Sequence, residues 1–131
     1  MPHAGRVEDV LSEALAPVLR DLERSGIAGP RIENVDWTDD PESASVMLWS
    51  PDGRGAGLRV SRAAPKSERI AMVADQVQDW TIEELWGKAP TNWPPCPRHP
   101  SNHPMTVSTR DAAAVWMCPA DEVVIVAVGE L

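Results

Sequence analysis

Trp93 to Asp121, WPPCPRHPSNHPMTVSTRDAAAVWMCPAD, holds both cysteines of the chain and two of its three histidines. Each cysteine opens a Cys-Pro step: Cys96-Pro97-Arg98-His99 and Cys118-Pro119-Ala120-Asp121. The half-sites read C-P-x-H and C-P-x-D, with His103 one turn's reach beyond the first. A divalent zinc ion takes four nitrogen or sulfur donors at the corners of a tetrahedron and tolerates oxygen. Two donors flanking a tight turn can address one ion, and the proline after each cysteine shapes that turn while removing a backbone N–H that would need a partner. Cys96, His99, His103 and Cys118 are therefore the candidate metal ligands, with zinc as the ion. Asp121 is a fifth, weaker donor. Two other readings stay open: a disulfide, or two inert buried thiols beside ordinary loop histidines.

Working outward, Ala89 to Pro104 contains six of the 13 prolines, so it is expected to be irregular. A loop of that length in a compact domain needs an anchor. A metal ion would supply one, and so would Trp93 packed on the core. Ala112–Met117 and Glu122–Val128 read as two strands joined at Cys118-Pro119-Ala120-Asp121, which puts Cys118 at a hairpin tip.

The two Cys-Pro turns resemble the knuckles of zinc ribbons and rubredoxin-like modules, where each knuckle reads C-P-x-C-G. The resemblance covers about the last third of the chain and implies a bound metal. His99 and Asp121 stand where those families have a second cysteine, and neither is followed by glycine.

Toward the N-terminus, Val7, Val10, Leu11, Leu15, Val18, Leu19 and Leu22 share one helical face. Glu8, Asp9, Glu13, Asp21 and Glu23 fall mostly elsewhere, and Ser25-Gly26 is a stop. Pro17 is expected to kink or split this helix, because it removes the bond to the Glu13 carbonyl. Arg31 to Trp37 reads as a weak strand with Val35 and Trp37 on one face. Ala44–Trp49 is a stronger strand, and Leu58 and Val60 start its return after a turn at Pro51-Asp52-Gly53. The glycines at 53, 55 and 57 lie between hairpin strands and lack a Walker lysine, so they are not a nucleotide loop. Pro65 to about Trp86 reads as a second helix, with Ile70, Val73, Val77, Trp80 and Leu85 on its apolar face. Met72, Ile82 and Trp86 lie outside that face and predict a second covered surface. Glu84 falls near the middle of the apolar face, where helix fraying would explain it.

The order of elements predicts an α+β fold: an antiparallel sheet with two helices on one face, a proline-rich loop and a C-terminal β-hairpin. The chain is expected to form one domain, 1–131, with a core over 1–88 and the candidate metal segment over 89–131. Double-stranded RNA-binding domains share helix, three strands, helix, but no basic cluster opens the second helix here. Type III secretion chaperones and their YbjN-type relatives are similar in element order. That resemblance implies a small, acidic, metal-free dimer.

The formal charge is -8, from 20 acidic against 12 basic residues. Phosphate and anionic-lipid surfaces need a basic partner, so nucleic acid and membrane are not expected. The longest apolar run, Val123–Val128, is far too short to span a bilayer. MPHAGRVEDV lacks an apolar signal segment, and a cytoplasmic location follows as the expectation. The bias to Arg, Ala, Pro and Val suggests a high-GC bacterial genome. The expected function is a small binding or adaptor protein with a structural zinc site, acting on a protein partner or through self-association. A metal-free chaperone-like dimer is the alternative. A zinc-dependent hydrolase, with Asp121 or Glu122 as base, is disfavoured because no second cluster of acids, bases or oxyanion donors is visible.

Overall fold

A computed structural model describes residues 7–131. His3 and the other five N-terminal residues lie outside the described part. The elements in order are α1 (Asp9–Arg24), β1 (Arg31–Glu33), β2 (Ser43–Trp49), β3 (Gly55–Ser61), α2 (Lys66–Leu85), β4 (Thr106–Arg110), β5 (Ala113–Cys118) and β6 (Val123–Ala127). They form two antiparallel three-stranded sheets, ordered β1-β2-β3 and β4-β5-β6. The fold is α+β.

The first sheet alternates as its sequence predicts. Ala44, Val46, Leu48, Leu58 and Val60 are buried, and they join Leu11, Leu15, Val18 and Leu22 of α1 and Val73 and Val77 of α2 in one core. The hairpin turns at Pro51-Asp52-Gly53: the Gly53 N–H donates to Ser50 O at 3.0 Å, and Gly53 takes φ +91°. Asp52 fixes the far side by accepting from the Arg54 N–H and guanidinium at 3.1 and 2.8 Å.

The second sheet departs from expectation by one strand. The C-terminal hairpin is present, but β4 pairs with β5 on its other side. The β4–β5 link is the two-residue turn Asp111-Ala112, with φ of +52° and +62°. Such turns favour Asn-Gly or Asp-Gly, so alanine in place of the glycine gives little warning of a hairpin. Other local differences have simple causes. Pro17 sits inside an unbroken α1; the carbonyl it leaves unbonded belongs to Glu13, which is exposed to water. The strand at Arg31 stops at Glu33 because Asp36 Oδ1 accepts from the Thr38 and Asp39 N–H groups and turns the chain. Trp37 then crosses the outer face of the first sheet, donating to Val46 O at 2.9 Å. Its ring occupies the place a side chain at Gly57 would need: a Cβ on that residue would lie only 2.5 Å from the indole. Glu84 lies within α2 rather than in a frayed end, accepting from Ser50 Oγ at 2.7 Å and Arg54 at 3.0 Å. The second surface of α2 is largely open: Met72 is exposed and Trp86 is 77% exposed.

Asp21 is the largest surprise. Its place among the charges of α1 suggests solvent, yet it is fully buried. Oδ2 accepts from the Trp116 indole N–H at 2.9 Å and the Gly129 N–H at 2.7 Å, and Oδ1 accepts from the Leu131 N–H at 3.0 Å. Arg20 and Arg24 each donate to Gly129 O at 3.0 Å. Gly129, at φ +100°, leaves no room for a side chain against Pro17 and Arg20. One face of α1 thus receives the end of the chain.

An orphaned buried donor costs about 1–3 kcal/mol. Asp21→Ala orphans several and is expected to destabilise by roughly 3 kcal/mol or more, with Asp21→Asn, which keeps one acceptor oxygen, costing less; urea unfolding measures both. Gly53→Val, which forces a β-branched residue to positive φ, is expected to cost about 1–3 kcal/mol in the same assay.

Candidate metal centre

The proline-rich segment is held at both ends by the protein. Trp93 is 3% exposed and meets Trp116 edge-to-face, with ring centroids 5.6 Å apart. Its indole N–H donates to Ser25 Oγ at 2.9 Å. Gln78, buried on α2, donates to Trp93 O at 3.2 Å and to Met105 O at 2.6 Å. The Met105 N–H donates to Pro94 O at 2.7 Å, closing the neck of the loop. Between these fixed ends the chain carries Cys96, His99 and His103 toward Cys118, the last residue of β5.

The four predicted ligands converge. One donor atom from each of Cys96, His99, His103 and Cys118 lies within 4.8 Å of all the others. His99 Nδ1 is 3.6 Å from Cys118 Sγ, 4.0 Å from Cys96 Sγ and 3.1 Å from His103 Nε2. Zinc–ligand bonds of 2.0–2.3 Å imply tetrahedron edges of about 3.3–3.8 Å. The spacing therefore suits a single ion with two sulfur and two nitrogen donors. Both cysteines are fully buried and unpaired, and both histidines are half-buried.

The surroundings orient these groups. His103 Nδ1 lies 3.0 Å from Pro104 O. A proton on that nitrogen leaves the Nε2 lone pair facing the cluster, the arrangement in which metal-bound imidazoles are usually held. Each Cys-Pro turn is closed by backbone bonds: the His99 N–H donates to Cys96 O at 3.0 Å, and the Glu122 N–H donates to Cys118 O at 2.8 Å. The Asp121 N–H points at Cys118 Sγ, 3.4 Å away, so a backbone donor supports the sulfur.

Asp121 is not among the four converging donors; His103 is the fourth. Instead its Oδ2 accepts from Arg98 Nε at 2.6 Å and sits 3.8 Å from His99 Nε2. The hydrogen bond from Arg98 holds the Asp121 carboxyl below the usual carboxylate range, aided by the charges of Arg98 and His99. The pair ties the first Cys-Pro turn to the second, and places a carboxylate behind one candidate ligand. The C-P-A-D motif signals Asp121 as a donor, and Arg98 carries no signal of its own. Neither does Gln78, whose role depends on where the loop meets α2.

Comparison with protein families, characterised proteins and solved structures finds no match. The site therefore stands on its own geometry.

Loss of a group that orients a ligand typically lowers metal affinity about 10–100-fold. Asp121→Asn is expected to fall in that range in a competition titration against a chromophoric chelator, with the four ligands still engaged.

Proposed function

We propose that the chain is a small acidic binding or adaptor protein whose C-terminal third is clamped by a structural zinc ion on Cys96, His99, His103 and Cys118. The observation that carries this is the approach of all four donor atoms to within 4.8 Å of one another from three separate turns of chain. Four protein donors fill a tetrahedral ion and leave no position for water or substrate, which is the mark of a structural site. A hydrolase would need three ligands and an open corner, so Asp121 and Glu122 are not assigned as bases. The partner is taken to be a protein, met directly or by self-association. The charge of -8 supports a reading without nucleic acid or anionic membrane. No helix of the described residues is long and apolar enough to cross a membrane, which is compatible with the proposed cytoplasmic location.

A metal-free form has one specific support. The 3.1 Å separation of His99 Nδ1 and His103 Nε2 also suits a direct imidazole–imidazole hydrogen bond. In that form the protein would act as the chaperone-like dimer suggested by its element order.

Metal analysis of protein purified without chelator decides between the two. One equivalent of zinc is expected, with two sulfurs near 2.3 Å and two nitrogens near 2.0–2.1 Å by X-ray absorption, the usual zinc distances. Cys118→Ser is expected to lose the ion. Metal-free wild-type protein that keeps the same loop and does not take up added zinc would overturn the assignment.

A further inference from the structure

The open side of α2 faces an unfinished strand edge. β3 is the last strand of its sheet. The Arg54 carbonyl accepts from Ser50 and the Arg62 N–H donates to Glu42, so the even-numbered residues of β3 turn their backbone groups toward β2. The odd-numbered residues turn theirs outward, by the alternation of an antiparallel ladder. At Arg59 the outward groups are satisfied in an unusual way. Gln76 of α2 accepts from the Arg59 N–H at 3.0 Å and donates to Arg59 O at 2.7 Å. Its side-chain amide stands in for the peptide group of an absent neighbouring strand.

At Gly57 and Gly55 that substitution ends, and both residues are exposed. They line a cavity of about 560 Å³ between the strand edge and α2. The opposite wall carries Trp80 and the carboxylates of Asp79, Glu83 and Glu84. Glu84 already holds Arg54 and Ser50. Burial, with the nearby charges of Asp75 and Glu83, pushes the Asp79 carboxyl above its usual range; a cation placed there would relieve that repulsion. A second hollow shares Arg54 and Glu83 with the first and continues to the exposed Trp86.

We propose that this groove receives an extended, basic peptide segment of a partner protein, which adds as a strand beside Gly55 and Gly57 and sets Lys or Arg side chains against Asp79 and Glu83. Main-chain hydrogen bonds supply affinity in strand addition, and pockets for alternate side chains supply specificity. The sign of the wall selects the partner: three carboxylates face one guanidinium that is already paired. This assigns a partner class to the binding role proposed above and rests on that role. It does not involve the metal ligands, so metal content and peptide binding can fail separately.

The test uses the full chain, isotopically labelled, with a short peptide of alternating Lys and Val. Saturable binding is expected, with shifts centred on the Gly55 and Gly57 amides. The same peptide N-methylated at alternate residues keeps its charge but cannot complete the ladder, and is expected to bind at least about tenfold more weakly. Asp79→Asn with Glu83→Gln is expected to weaken the unmodified peptide about tenfold, since each exposed charge pair contributes little alone; a dispersed amide spectrum confirms that the variant is folded. Equal binding of the N-methylated peptide, equal binding of a Glu/Val peptide, or unmoved Gly55 and Gly57 amides would each overturn the proposal.

Discussion

The buried carboxylate of Asp21 organises the C-terminal half of the molecule. It collects the Trp116 indole and the backbone of Gly129 and Leu131 onto one face of α1. A carboxylate withdrawn from water is costly unless hydrogen bonds replace the lost hydration. Here they do, and in doing so they fix the middle of β5. Trp116 then offers its ring to Trp93, and Trp93 sets the entry of the proline-rich loop. Cys118 follows Trp116 by two residues on the same strand. The positions of both cysteines thus depend on a charge in α1, far from them in sequence.

This arrangement changes what a metal ion has to do. Sequence alone leaves the whole of Ala89–Pro104 in need of an anchor. The folded chain already ties residues 93 and 105 to Gln78 and pairs β4 with β5. An ion bound there would have a smaller region to organise, the turns that carry Cys96, His99, His103 and Cys118. A site whose frame is formed by the protein loses less chain entropy on binding than one that must order a free loop. The Arg98–Asp121 pair adds a second link between the same two turns.

Much of this is legible in the sequence, and the limits have a physical pattern. Periodicity marks Leu11, Leu15, Leu22, Val73 and Val77 as core, and the Pro-Asp-Gly turn locates the β2–β3 hairpin. The two Cys-Pro steps with two nearby histidines name the four residues that converge. All of these signals are local. What stays hidden depends on distant neighbours: Asp21 and Gln78 look like surface residues until their partners are in place. Trp37 looks like part of a strand until Gly57 provides a seat for its ring. β4 is concealed because Ala112 stands in its turn where glycine would be expected at positive φ, and because it borders a proline-rich run. Pro17 does not split α1, and water can reach the carbonyl it leaves unbonded.

α2 is where the two sheets meet. It packs on β3 of the first sheet and on β4 and β5 of the second, with its arcs divided between them. Val77, Gln78, Thr81 and Leu85 turn toward the core and the loop, while Gln76, Asp79, Trp80 and Glu83 follow one another at helical spacing along the groove. No strand pairing joins the sheets among the described residues. Val73, Ala74, Val77 and Thr81 are fully buried, and the first three share one core with Leu58 and Val60 of β3, with α1, and with Cys96 and Cys118 at the tip. Trp80 belongs to that core and also lines the groove, so the cysteine-bearing tip and the strand edge are built on two sides of one packed helix.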